Sequence, residues 1–283
     1  MPSCVTYGTT ILVYKKGDES DPPNYRPITC LPSAYKLLTL ILYDKIYRHL
    51  TTSQDTLPLI LQYEQKGCRR KAQCCKDQLW IDKCITKIGK NITINYAWID
   101  YAKAYDSIPH SWIQKVMRLY NINTTTTSFI THAMKSWNTT LHLPHEQGIS
   151  KTKNIPIKGG IFQGDSLSPL LIWLCLFPII NILIQIKIGF KISNKKQINI
   201  NHLLHIDDMK IYANGKENMK RLLHLLQTFS TDINMTLNLN KCALISIKKG
   251  KIENDNDYLL SMLKPNESYK YLGILESSNF HEK

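Results

Sequence analysis

His202-Leu-Leu-His-Ile-Asp-Asp-Met-Lys-Ile-Tyr212 is two short apolar runs separated by two aspartates. Runs of this length broken by a short polar step form a hairpin, and here the step is acidic, so two carboxylates stand at its tip. Roughly a hundred residues upstream, Ile94-Asn-Tyr-Ala-Trp-Ile-Asp100 alternates well enough to be a strand, and it too ends in a carboxylate. Either feature alone describes a solvated turn residue. Together they change the reading, because uncompensated carboxylates on neighbouring strand tips need a cation. On adjacent strands Asp100, Asp207 and Asp208 would hold two divalent ions roughly 3.5 to 4 Å apart, the arrangement that clamps attacking and leaving oxygens in phosphoryl displacement. Mg²⁺ suits such a site, with Mn²⁺ as a substitute, because it takes few protein carboxylates and fills its other positions with water and phosphate.

Working outward, Asn24 to Thr29 is extended, since Pro27 disfavours helix at Arg26. Ser33 is a candidate N-cap for a helix with Leu37, Leu38, Ile41, Leu42, Ile46 and Leu50 at helical spacing. A second helix is expected over Lys76 to Ile88, with Leu79, Trp80, Cys84 and Ile88 on its buried side. Pro109 fits the first turn of a short helix carrying Trp112, Ile113, Val116 and Leu119. Asn121 to Ser128 is a polar, threonine-rich connection, and Thr139 to Ile157 reads as paired strands with a loop at Pro144 to Asn154. Gly159, Gly160 and Gly164 punctuate the entry to an apolar helix from about Ser166 to Ile186. Beyond the hairpin, Lys216 to Ile233 is an amphipathic helix with Leu222, Leu223, Leu226 and Phe229 facing in, and Cys242 to Ile247 and Lys270 to Leu275 are the closing strands.

The 283 residues hold 36 Lys and Arg against 22 Asp and Glu, a formal net charge of +14 that favours a polyanionic partner. With 43% hydrophobic and 20% charged residues the chain falls in the globular class, not the disordered one. Leu170 to Ile184 is almost wholly apolar, but it is short for a membrane span and contains Pro178 and Asn181, so a buried core helix and a soluble protein without a membrane partner are expected. The eight cysteines follow no secretory start and read as reduced thiols; Cys68, Cys74, Cys75 and Cys84 lack the pairing of a zinc site.

Taken in order, Asn24-Tyr-Arg-Pro-Ile28, Trp98-Ile-Asp-Tyr-Ala-Lys-Ala-Tyr-Asp-Ser107, Gly160-Ile-Phe-Gln-Gly-Asp-Ser-Leu-Ser-Pro-Leu170, Ile206-Asp-Asp208 and Tyr269-Lys-Tyr-Leu-Gly273 resemble the motif series of reverse transcriptases over nearly the whole chain. Glu64-Gln-Lys-Gly-Cys68, Lys76-Asp-Gln-Leu79, Pro109-His-Ser-Trp112 and the run around Gln163 look more narrowly like the polymerase of non-LTR, LINE-like retrotransposons, especially the type inserting in ribosomal DNA. The resemblance implies an α+β right-hand polymerase: fingers mainly in residues 1–95, a palm in 96–277 with inserted fingers elements, a tail at 278–283, and an antiparallel palm sheet flanked by helices. It implies an RNA template, a DNA primer and dNTPs as partners, with Asp100 and Asp207 the principal metal ligands and Asp208 the adjacent carboxylate. Tyr105 matches the family's steric gate against a ribose 2′-hydroxyl. Gln163 and Gly164 match its template and nucleotide contact, where a missing side chain lets backbone approach nucleic acid. Arg26, with Lys15 or Lys16, matches residues that neutralise the triphosphate. Lys241 corresponds to a lysine near the leaving pyrophosphate, and Tyr271, Leu272 and Gly273 to the hairpin that holds the primer end, the aromatic offering a stacking face.

There are departures. His205 stands where the family has an aromatic and is given no ligand role, Gly159 replaces a basic residue, and Lys71-Ala-Gln-Cys-Cys75 replaces a glycine- and serine-rich turn. Relatives carry zinc-finger modules, a thumb and an endonuclease that are not found here, so the expectation is a fragment of an element, thumb missing, acting inside the cell, in cytoplasm and nucleus if part of a live element. A second reading is a decayed or truncated copy that only binds nucleic acid. A third, a viral RNA-dependent RNA polymerase, shares the acid strand and hairpin but is disfavoured by Tyr105, the Gln163 to Leu170 run and Tyr271-Leu-Gly273.

Overall fold

A computed structural model describes residues 3–52, 75–89, 93–186, 188–191, 199–249, 251–253, 257–264 and 267–277. In chain order its elements are α1 (Ser3–Thr6), β1 (Tyr7–Tyr14), β2 (Tyr25–Cys30), α2 (Ser33–Thr52), α3 (Cys75–Gly89), β3 (Ile94–Ile99), α4 (Ala104–Ser107), α5 (His110–Leu119), α6 (Thr124–Ser136), β4 (Asn138–His145), β5 (Gly148–Lys151) and β6 (Ile155–Pro156). There follow α7 (Ser168–Gln185), β7 (Phe190–Lys191), β8 (Asn199–Ile200), β9 (His202–His205), β10 (Asp208–Ala213), α8 (Lys216–Asp232), β11 (Ala243–Lys248), β12 (Lys251–Ile252), β13 (Ser268–Tyr271) and β14 (Ile274–Ser277). The chain divides into two units, Met1–Ile60 with Lys103–Cys175, and Leu61–Ala102 with Leu176–Lys283. Residues 95 and 96, where the fingers-to-palm change is expected, both lie in β3, and the expected 278–283 tail, like Glu64 to Cys68 and Lys71 to Cys74, lies outside the described residues.

The first unit is built on a sheet in the order β2-β1-β4-β5, with β6 also on β4. β1 and β2 are antiparallel, whereas β1 and β4 are parallel, Thr9 opposite Thr140. Buried hydroxyls tie the three strands together: Thr10 Oγ1 lies 2.8 Å from Thr29 Oγ1 and 2.7 Å from Thr139 Oγ1. In α2 the buried side is Tyr35, Thr39, Leu42, Ile46 and Leu50, so Leu37 and Ile41 of the expected apolar stripe face outward. The threonine-rich connection is in fact the start of α6: Asn123 is its N-cap, its side-chain oxygen accepting from Thr125 N at 2.9 Å and Thr126 N at 3.4 Å.

The second unit centres on a five-stranded sheet, β12-β11-β3-β10-β9, antiparallel throughout. β3 is its middle strand and is buried along its whole length, which is why its alternation is imperfect: both faces are covered. The helix α8 packs on β3 and β10 through Leu222, Leu223 and Leu226. Lys270 to Leu275, expected as one strand, is the centre of a separate two-stranded hairpin, β13–β14. In α3 the expected side is wrong. Trp80 is 70% exposed and Cys84 and Ile88 are exposed, while Gln78, Asp82, Ile85 and Gly89 are buried. The 18 residues of α7 are long and apolar enough to cross a membrane, yet two thirds of them are buried in the fold, with Trp173, Leu174 and Phe177 almost inaccessible.

Candidate active site

The register of the second unit's sheet brings the acidic strand tips side by side. Met209 pairs with Ile99 and Lys210 with Trp98, so one step beyond the ladder Asp208 stands opposite Asp100. Alternate residues share a face, hence Asp208, Lys210 and Tyr212 line up with Asp100, Trp98 and Tyr96 on the same side. Between β9 and β10 the loop is two residues, Ile206 and Asp207, closed by the His205·Asp208 pair. Ile206 has φ 59°, a left-handed conformation that a β-branched residue adopts only under constraint, at the position where such a hairpin takes glycine. The tip that carries Asp207 is therefore a strained turn.

Asp100 is held through its backbone. Its N–H donates to Cys242 Sγ at 3.3 Å, its carbonyl accepts from Asn238 N at 2.8 Å, and Ala102 N donates to Thr236 O at 2.8 Å. The segment from Thr236 to Cys242 that makes these bonds also delivers Lys241, whose Nζ lies 3.7 Å from Asp100 Oδ2. Burial, and the charge on Asp100, push the Cys242 thiol up to about 11, so it stays protonated. Burial is also the main reason the Tyr269 phenol is raised, with the Asp100 and Asp208 charges adding to it. His205 has its Nε2 3.3 Å from Cys75 Sγ, and burial lowers its pKa against the pull of Asp208.

Asp100 Oδ2 is buried and accepts no hydrogen bond among the described residues, which suits a ligand waiting for a hard cation. No group of three His, Cys, Asp or Glu side chains is gathered into a metal cage among the described residues.

Behind the carboxylates, on the same face, lies a buried charge cluster that reading the sequence missed. Lys210 has no exposed surface, and its Nζ donates to Asp82 Oδ2 at 2.8 Å and Glu276 Oε2 at 2.7 Å. The ammonium also sits 4.7 Å from the Tyr96 ring centre, 4.8 Å from Trp98 and 5.3 Å from Tyr271. Tyr212 OH donates to Asp82 Oδ1 at 2.5 Å and Trp98 Nε1 to Glu276 Oε2 at 3.0 Å. Burial works to raise Asp82, but the Lys210 charge and the bonds from Lys210 and Tyr212 outweigh it and hold that carboxyl below its usual range; Glu276, less well held, is pushed by burial up to about 7. The one available signal was a lysine inside an apolar strand, on the face of Tyr212.

The primer-hairpin candidates need a correction. Tyr271 is 3% exposed and its hydroxyl accepts from Gln78 Nε2 at 3.1 Å, so its ring packs in the core and offers no stacking face. Leu272 (φ 46°) and Gly273 (φ 89°) form the two-residue turn of β13–β14, whose closing pair is Tyr271·Ile274.

The remaining candidates belong to the first unit. Arg26 is exposed on β2 opposite Val13, and Lys15 and Lys16 are exposed just past the end of β1, with Lys15 N donating to Asn24 O at 2.9 Å. Tyr105 is a half-buried residue of α4, and its carbonyl accepts from Ile161 N at 2.7 Å. Thr29 N donates to Gln163 O at 2.8 Å, and a Cβ on Gly164 (φ 117°) would come within 2.6 Å of Thr29 O. Glycine is thus demanded at 164 by the protein's own β2, whatever else approaches it. His110 Nε2 donates to Gly160 O at 2.8 Å, and Thr39 Oγ1 to Asp165 Oδ1 at 2.6 Å, which fixes the loop at both ends.

Residues 13–275 match the family model described as Reverse transcriptase (RNA-dependent DNA polymerase). Among curated proteins, the Pol polyprotein of type-1 retrotransposable element R2 from Popillia japonica is 27% identical over 96% of this chain, and that of type-2 element R2DM from Drosophila melanogaster is 25% identical over 97%. The chain spans 38% and 25% of the length of these two relatives. Among solved structures, telomerase of Candida albicans in complex with a fragment of telomeric RNA superposes with a TM-score of 0.58 at 13% identity, covering 96% of this chain and 45% of that one. Apo telomerase of Candida tropicalis, truncated from its C-terminal domain, gives 0.57 at 13% identity, covering 89% and 55%. At this identity the likeness speaks to the fold.

Proposed function

Since the chain belongs to the reverse transcriptase family, we propose that it is the RNA-directed DNA polymerase part of a non-LTR retrotransposon protein, transferring dNTPs onto a DNA primer 3′-hydroxyl along an RNA template. The reading rests on one observation above all: the β3–β10 ladder ends at the Met209·Ile99 pair, directly next to Asp208 on one strand and Asp100 on the other, with Asp207 in the adjoining turn. Asp100 and Asp207, with Asp208 beside them, would hold divalent cations, Mg²⁺ in the first instance and two in number. Such ions, when bound, activate the primer hydroxyl and neutralise charge on the triphosphate.

The chain's own residues supply the rest. The Thr236 to Cys242 segment and the strained β9–β10 tip keep the carboxylates where repulsion would otherwise drive them apart. Lys241, 3.7 Å from Asp100 Oδ2, offsets their charge and has a proton to give to the leaving pyrophosphate. Arg26, Lys15 and Lys16 are assigned to the triphosphate, Gln163 and Gly164 to the template and nucleotide, Tyr105 to the sugar, and the Leu272-Gly273 turn to the primer end. Extension of a DNA primer on an RNA template with dNTPs and Mg²⁺ tests the reading. Asp207→Asn is expected to abolish extension while leaving the circular dichroism spectrum unchanged, and equal extension by that variant would overturn the reading. Binding of primer–template without extension by the parent chain would favour instead a fragment that only binds nucleic acid.

A further inference from the structure

An isolated two-stranded hairpin is marginally stable in water, yet β13–β14 is a sheet of its own, with no backbone pairing to the five-stranded sheet among the described residues. Side chains hold it instead, and they converge on one strand pair. Tyr269 stacks on Trp98 at 4.5 Å and 12°, Glu276 accepts from both Trp98 Nε1 and Lys210 Nζ, and Tyr271 lies under the Lys210 ammonium while its hydroxyl accepts from Gln78 of α3. Lys210 and Trp98 are themselves a register pair, immediately behind the Asp208 and Asp100 tips.

We propose that Lys210 is a positioning residue: with Asp82 of α3 on one side and Glu276 of β14 on the other, it pins the hairpin that ends in Leu272-Gly273 to the sheet face that carries the acidic tips. The role given to the hairpin rests on the polymerase reading above; the pin itself does not. A buried lysine between two carboxylates is not needed for stability as such, since well-packed hydrophobic groups of the same volume often do as well or better. What the charges add is direction, because Nζ can meet both acids only when β14 is seated at one place along β10.

The test compares the parent chain with Lys210→Met and with the neutral triple variant Asp82→Asn, Lys210→Met, Glu276→Gln, by amide hydrogen exchange and by primer-extension kinetics. The single variant strands two buried carboxylates and is expected to lower the melting temperature; the triple variant, which leaves no buried charge unpaired, is expected to melt above the single variant. In the triple variant exchange over Ser268–Ser277 should speed by about tenfold or more while Ile94–Ile99 stays protected, and the KM for primer–template should rise by about tenfold with the KM for dNTP unchanged. A triple variant with parental hairpin exchange and parental primer KM overturns the proposal. If the parent extends no primer the polymerase reading fails, and the hairpin exchange alone then decides the pin.

Discussion

At the scale of single residues the active-site candidates are governed by local strain and local volume. Ile206 occupies a left-handed conformation at the tip that presents Asp207. Asparagine tolerates that conformation, so Ile206→Asn is expected to stabilise the chain by about 1 kcal/mol in urea unfolding. Tyr105 carries a different expectation. Under the sugar-gate role proposed for it, Tyr105→Val raises ribonucleotide over deoxynucleotide incorporation by removing a clash, measured as the ratio of the two kcat/KM values. Equal loss on both sugars would make Tyr105 a packing residue of α4. The acids themselves were legible in the sequence because each interrupts an apolar run at its end. The lysine cluster was not, since the partners of Lys210 lie 128 and 66 residues away and no local period announces them.

Elements show the same division. The β9–β10 hairpin and β3 were readable from a period of two and a short polar step, although the turn falls at Ile206 and Asp207, one residue before the expected pair of aspartates, so that Asp208 is the first residue of β10 and not part of the turn. The face of α3 was misread because its buried side is polar: Gln78 and Asp82 point inward to Tyr271, Lys210 and Tyr212, so hydrophobic spacing selected the wrong side. The opening of α6 was missed because a run of threonines has low helix propensity, although Asn123 was there to cap it. Asn123→Ala is expected to cost about 1 kcal/mol in thermal or urea unfolding, by leaving two amides without an acceptor. The β14 element carries a pH expectation. Glu276 in the folded chain titrates near 7 against an ordinary value of 4.5, so between those values the folded state holds the extra proton and stability falls as pH rises. Glu276→Gln lacks that proton, and its stability relative to the parent is expected to climb from pH 5 to pH 8 by up to about 3 kcal/mol. A pH-independent difference would remove Glu276 from the titrating cluster.

At the scale of the whole molecule the +14 charge predicts the character of binding. Affinity for a primer–template duplex should fall steeply between about 50 and 200 mM salt, with a linear log–log slope, because Lys and Arg met by phosphate release counterions. A flat salt profile would argue against phosphate contacts as the main source of affinity. The two-unit organisation has another consequence, for a chain leaving the ribosome. Thr139 meets Gly8 across 131 residues, and β1 finds its parallel partner only in β4. At about 5–20 residues per second, β1 and β2 wait on the order of ten seconds for that partner. Through that interval an apolar strand edge, with Ile11 and Val13 exposed even in the finished fold, is open to any other nascent strand. Slow translation and crowded polysomes are thus the conditions under which this protein is expected to aggregate, and a chaperone that shields β1 until residue 145 has emerged is expected to raise its soluble yield.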